Sequence, residues 1–286
     1  MAEARCPASC GELLQGWING GEKLVSCPID WFSEVEVRAG PPMADERPLS
    51  RRMLDQVIKH FGVNPGDVPP LRIERRSTIP IAKGLASSTA DIAATAVATA
   101  RWLGRELDEM TLARLCLRLE PTDSTVFKAL TLFDHRRGTC HISHHWLPQL
   151  DILILESPHT LTTAASHQQI HDDQLRTQAQ PLQNAWLLFQ QSCVAQSPGQ
   201  LGAAATLSAR ARNALLPKPG FETLLRFVEQ QDLYGLNVAH SGTVVGLLLN
   251  ARTHDTDRLM AALAETGLLR HYTRQHITRL VAGGVR

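Results

Sequence analysis

Ser87, Ser88 and Thr89 set three hydroxyls in a row, just behind Gly84 and Ala86, which carry little or no side chain. Small residues let a bulky anion come close to the backbone. The segment runs straight into Ala90–Leu103, where alanine fills positions 90, 93, 94, 96, 98 and 100 and Gly104 follows, a helix by propensity and by stop signal. The start of a helix carries unpaired N–H groups and roughly half a positive charge. Hydroxyls, open backbone and a helix N-terminus together make a phosphate site.

The competing reading is an ordinary cap, because Ser88-Thr89-Ala90-Asp91 also fits a capping box. The preceding Pro80-Ile81-Ala82-Lys83-Gly84-Leu85 favours the phosphate site, since a cap needs no such preamble. Asp91 is a point of tension, because a carboxylate in the first turn helps the helix and repels a phosphate. The sequence holds no G-x-x-x-x-G-K-[ST], no G-x-G-x-x-G after a strand and no H-R-D with a later D-F-G, so a nucleotide here uses a different loop.

Other candidates are weaker. Glu120-Pro121-Thr122-Asp123-Ser124-Thr125 brings two carboxylates together around a proline, and Asp123 also suits the N-cap of Ser124–Leu130. Cys140-His141 with His144-His145 has metal-ligand residue types without a second pair at zinc spacing, so exposed loop histidines are expected.

These residues must be positioned by alternating strands and helices. Ser33–Arg38 alternates Val35 and Val37 with charges, a half-buried strand. Leu71–Glu74, Asp151–Glu156 and Val244–Leu249 read as strands. Arg51–His60, Glu109–Leu119 with Asp108 as cap, Leu182–Cys193, Leu201–Leu215, Phe221–Val228 and Arg258–Leu268 read as helices. A chain of 286 residues suits two domains, divided at the Pro-containing loop near Trp146–Leu150 into 1–147 and 148–286. Apolar residues are 43% and aromatics only 5%, so the cores are aliphatic. With a net charge of +1 and only scattered arginine pairs, nucleic acid is excluded as a partner. No apolar run reaches the ~18 residues of a membrane span and the N-terminus lacks a signal-peptide pattern, so a cytoplasmic location is expected. The six cysteines then read as free thiols.

Pro80–Ala90 resembles the central motif of the GHMP kinases, P-x-x-x-G-L-x-S-S-x-A, at every fixed position. Pro7-Ala8-Ser9-Cys10-Gly11-Glu12 resembles the family's N-terminal motif, and His240-Ser241-Gly242-Thr243-Val244-Val245-Gly246 its C-terminal glycine motif, though poorer in glycine. The resemblance implies an α+β fold, with an N-terminal domain containing a βαβ crossover, a ferredoxin-like C-terminal domain and the active site between them. It implies ATP as phosphoryl donor on Pro80, Lys83, Gly84, Leu85, Ala86, Ser87, Ser88 and Thr89, with Mg2+ held by Ser88 (or Ser87) and Glu120. Lys83 would add a point charge on the phosphates or remain a solvated loop lysine. Asp123 would be the catalytic base, although homoserine kinase lacks an aspartate at the matching place. Ser9, Gly11, Glu12, Ser241 and Gly242 would lie near the substrate or the glycine loop.

Cys6–Gly16, Ala82–Thr95, Glu120–Phe127 and Leu233–Ser241 further resemble the branch of the family that acts on L-threonine. That branch makes O-phospho-L-threonine for the cobalamin side chain, which sets the expected acceptor. The alternatives are a family kinase for homoserine or another small alcohol, and a nucleotide-binding regulator without turnover.

Overall fold

The computed structural model describes residues 1–160, 172–240 and 242–286. Its first two strands form one long hairpin. β1 (Ala2–Ile18) and β2 (Gly21–Ala39) turn at Asn19-Gly20, both with positive φ (47° and 78°), and Ile18 pairs with Gly21. Asn-Gly suits such a two-residue turn because both positions need left-handed backbone.

β3 (Leu71–Ser77) pairs with the far end of β2, from Ser33↔Ser77 to Ala39↔Leu71. β4 (Leu130–Phe133) joins the near end of β2 at Leu24↔Phe133, and β5 (His141–His144) pairs with β4 at the sheet edge. Both β3 and β4 run antiparallel to β2 and are therefore parallel to each other, so the chain between them makes a βαβ crossover. That crossover contains α2 (Ser87–Trp102) and α3 (Glu109–Leu117). α1 (Pro48–His60) precedes it, and Asp108 caps α3 by accepting from the Thr111 N–H.

The second half contains β6 (Asp151–Glu156), β7 (Gly235–Val238), β8 (Val245–Leu249) and β9 (Arg274–Arg279) in the spatial order β7-β8-β6-β9. All three pairings are antiparallel. With helices after β6 and after β8, this is the βαββαβ arrangement of a ferredoxin-like fold. The helices are α4 (Asp172–Thr177), α5 (Ala179–Ala195), α6 (Pro198–Leu215), α7 (Phe221–Gln230) and α8 (Thr256–Glu265). A bridge between Glu12 of β1 and Val238 of β7 joins the halves into one continuous sheet.

α2 is buried on almost every side, against β1, β2, α1 and α3. Its alanines answer that crowding, because a helix closed in all round has room only for small side chains. The fold class is as the sequence implied, α+β with both features present. The helix boundaries shift by a few residues, and α2 starts at Ser87 rather than at Ala90. Among the described residues, no helix is long and apolar enough to cross a membrane.

Candidate functional site

The loop before α2 is held in a conformation that its sequence resists. Ala82 and Ala86 have φ of 58° and 56°, in the left-handed region that costs an L-residue about 1–2 kcal/mol. Such strain persists only where the surroundings enforce it. Ala86 is the residue before the helix and has no side chain to cap it. The capping-box alternative is thereby ruled out: among the described residues no side chain caps the first-turn amides of α2, and Asp91 does not reach back to supply a cap. Its carboxylate accepts from Ser33 Oγ and pairs with Arg47 at 2.7 Å, on the far side of the helix.

The three motifs of the sequence meet at this loop through backbone. The Ser9 and Gly11 N–H groups donate to the carbonyls of Leu85 and Gly84 at 3.1 and 3.3 Å. The Thr243 and Val244 N–H groups donate to the Lys83 carbonyl at 3.0 and 3.2 Å. A Cβ on Gly84 would lie 2.3 Å from that of Ala239, and one on Gly242 would lie 2.1 Å from the Lys83 oxygen. Glycine is needed at both places because the β7–β8 hairpin loop presses directly on the loop before α2. Ser9 serves the same packing: its hydroxyl donates to the Gly11 carbonyl at 2.6 Å and accepts from the Cys27 N–H at 2.9 Å. Ser241 lies outside the described residues.

Lys83 does not project into the cradle and is not a solvated lysine either. It is buried, and Nζ donates to the carbonyls of Ser157 and His159 at 2.6 and 2.9 Å, with Glu156 at 3.5 Å. Three partners match its three N–H donors. The side chain ties the loop to the end of β6, so the expected contact with phosphate is not supported.

Two acidic groupings flank the loop. Thr89 Oγ1 donates to Asp123 Oδ2 at 2.9 Å, joining the first turn of α2 to the expected base. Burial raises the Asp123 carboxyl above its usual range, opposed by hydrogen bonds from Thr89 and Glu12. Glu12 is itself 4% exposed; burial and the Asp123 charge push its carboxyl well up, and Ser26 and Arg212 offset part of the rise. Asp123 is not the side-chain cap of the 3-10 turn Ser124–Val126 that follows it. Glu120 is raised by burial, and a hydrogen bond with Ser88 offsets part of the rise. The two expected magnesium ligands are therefore neighbours. Their oxygens are hard donors suited to that ion, and a divalent cation would relieve the cost of burying the Glu120 charge.

A third grouping escaped sequence reasoning. Glu22, at the start of β2, meets His240 Nε2 at 3.0 Å, Arg136 Nε at 2.9 Å and His135 Nε2 at 3.9 Å. Arg212 of α6 donates to the His240 carbonyl, while its buried Nε has no acceptor among the described residues. Burial lowers Arg212 to about 10, and Glu22 and Glu12 pull it partly back. Arg212 thus links this charged pocket to the Glu12–Asp123 pair. Lys218 Nζ donates to the Gly242 carbonyl at 2.6 Å and holds the glycine loop from behind. An arginine in the last turn of an alanine-rich helix was the available signal.

Of the histidines near Cys140, His141 and His144 lie on strand β5 rather than in a loop, and His145 follows the strand, exposed. His144 packs edge-on against Trp186 and Phe189, and His141 stacks on Phe127. Among the described residues, the cluster with metal-like geometry is instead Glu22, His135 and His240. The guanidinium of Arg136 already pairs with that carboxylate.

The structure thus joins a crossover half to a ferredoxin-like half, with an uncapped helix N-terminus and buried carboxylates beside it. Residues 49–129 match the GHMP kinases N terminal domain. The chain is 56% identical over 285 residues to the L-threonine kinase of Citrobacter freundii, covering 100% of this chain and 99% of that one. It is also 56% identical over 286 residues to the L-threonine kinase of Salmonella typhimurium, covering 100% and 95%. Among solved structures, a homoserine kinase from Cytophaga hutchinsonii superposes with a TM-score of 0.74 at 14% identity, covering 100% and 96% of the two chains. The chain belongs to the GHMP kinase family.

Proposed function

We propose that this chain transfers the γ-phosphoryl group of ATP to the side-chain hydroxyl of L-threonine. The observation that carries the reading is the uncapped N-terminus of α2, facing Asp123 through Thr89. The triphosphate would lie on the backbone of Gly84–Thr89. Ser88 and Glu120 would hold Mg2+, which would supply charge neutralisation on the transferring group. Asp123 would accept the threonine hydroxyl proton.

The charged pocket fits an amino acid better than a plain alcohol. Arg212 Nε, buried and without an acceptor, suits a carboxylate, and Glu22 suits an ammonium group. The similarity to L-threonine kinases supports threonine over homoserine. The product would be O-phospho-L-threonine, made in the cytoplasm and used for the cobalamin side chain. Residues 1–147 and 148–286 would be the two domains closing on the substrates. Side-by-side kcat/KM values for L-threonine, L-serine and L-homoserine with Mg-ATP test the reading. A clear preference for threonine is expected, and equal rates on a simple alcohol would overturn it.

A further inference from the structure

The stretch after β9 leaves the second half and runs back through the first. Leu280 bridges to Ile29 of β2, and its N–H donates to the Leu150 carbonyl at 2.8 Å. The Val281 N–H then donates to the Pro28 carbonyl at 3.0 Å. The N–H groups of Gly283 and Gly284 donate to the carbonyls of Lys128 and Thr125 at 3.1 and 2.7 Å. Arg286 exchanges backbone hydrogen bonds with Arg5 of β1, both at 2.9 Å, and both guanidinium groups lie over the Phe32 ring. The stretch thus runs along the loop that carries Asp123. Its two glycines are buried there, and larger residues do not fit. A Cβ on Gly283 would lie 2.1 Å from the Phe127 carbonyl oxygen and 3.0 Å from that of Thr125. Gly284 has φ of 80°, and a Cβ there would lie 2.6 Å from Lys128 Cγ.

We propose that Gly283 and Gly284 are positioning residues for Asp123: through them the stretch after β9 straps the Asp123 loop to the second half and fixes where its carboxylate points. The inference rests on the kinase reading and deepens it. Bonds from the first half hold the loop on its other sides. Thr89 Oγ1 donates to Asp123, Ser26 and Ser124 exchange hydrogen bonds at 2.9 and 3.1 Å, and the Thr122 N–H donates to the His135 carbonyl at 2.9 Å. The strap adds a hold from the half that also supplies Arg212 and the β7–β8 loop. It acts through backbone amides, which have no rotamer to change, so the place of Asp123 follows the place of the second half. Positioning of this kind matters for rate, since a reacting group displaced by about 1 Å can cost about a hundredfold. The loop before α2 is held by other bonds, from Ser9, Gly11, Thr243 and Val244, so nucleotide binding should not feel a loosened strap.

Gly283→Ala sets a methyl against the Phe127 carbonyl, and the loop must move to admit it. It should lower kcat at least about tenfold, with KM for ATP and ATP-binding stoichiometry unchanged. Gly284→Ala presses mainly on the flexible Lys128 side chain, so it should show the same pattern more mildly, and it decides the matter if Gly283→Ala does not fold. Leu263→Ala, a truncation in the separate core under α8, controls for instability: it should lower Tm and keep kcat. Amide hydrogen exchange over residues 122–128 should be faster in both glycine variants than in the parent, whether or not the protein turns over. Parent-like kcat in both glycine variants would overturn the strap. So would a fall in kcat matched by an equal loss of ATP-binding sites, an equal fall in Leu263→Ala, or unchanged exchange over 122–128. Absence of threonine-dependent turnover in the parent, with exchange raised in the variants, would sink the kinase reading and leave the strap on this loop standing.

Discussion

Thr89 Oγ1 donates to Asp123 Oδ2 across 2.9 Å and ties the first turn of the alanine-rich helix to the acidic loop after α3. A phosphate on that turn and a hydroxyl facing that carboxylate would be held in a fixed relation. Phosphoryl transfer depends mainly on such positioning and on charge stabilisation. Asp123→Ala should lower kcat by about 10²–10⁴ while ATP affinity is kept. Steady-state kinetics with equilibrium nucleotide binding check this, and near-normal turnover would remove Asp123 from its assigned role.

Glycine at 242 is required by contact rather than by turn conformation alone. Gly242→Ala would drive a methyl against the Lys83 carbonyl, which already accepts two N–H groups from the same hairpin loop. The phosphate loop must shift to make room. ATP binding should weaken at least tenfold with a lowered Tm, as the clash is with backbone that cannot swing aside. Calorimetric titration with ATP reads the outcome.

Arg212 should govern recognition of the acceptor and leave the nucleotide alone. Arg212→Met removes the buried Nε that lacks an acceptor and keeps the apolar stem. KM for threonine should rise roughly ten- to a hundredfold, from loss of one charge-assisted contact, with KM for ATP unchanged. An equal rise in both constants would mean the side chain supports the fold and not the amino acid.

Lys218 offers a pH signature in stability. Its folded value of about 8 is below the ordinary 10.5, because burial and the Arg212 charge disfavour the ammonium. Between those two values the unfolded chain holds more protons than the folded one, so unfolding free energy rises with pH across that window. Lys218→Met should abolish this rise, measured by denaturant unfolding from pH 8 to pH 10.5. A parent protein whose stability falls across the window, at the same slope as the variant, would contradict the assignment.

How much of this could be seen in the chain alone follows from where the information is local. α3 was legible because Asp108, the apolar spacing and Pro121 are all near one another. The turn-rich segment leading into α2 was legible for the same reason. β1 was not, because its exposed and buried residues do not alternate: it is buried almost throughout from Cys6 to Gly16. The Asn19-Gly20 turn was a usable hairpin signal that the strand pattern on either side failed to reinforce. Lys83 looked like a phosphate ligand because its partners, the carbonyls of Ser157 and His159, lie far off in the chain. Glu22, Arg136, Arg212 and His240 come from four separate segments, and only the closing of the two halves brings their charges together.

The most direct test is to incubate the protein with Mg-ATP and L-threonine and to detect the product by mass. The account predicts O-phospho-L-threonine with one ADP released per product, and no such product from Asp123→Ala over the same period. ADP released at the same rate with and without threonine, and no phosphorylated amino acid, would contradict it.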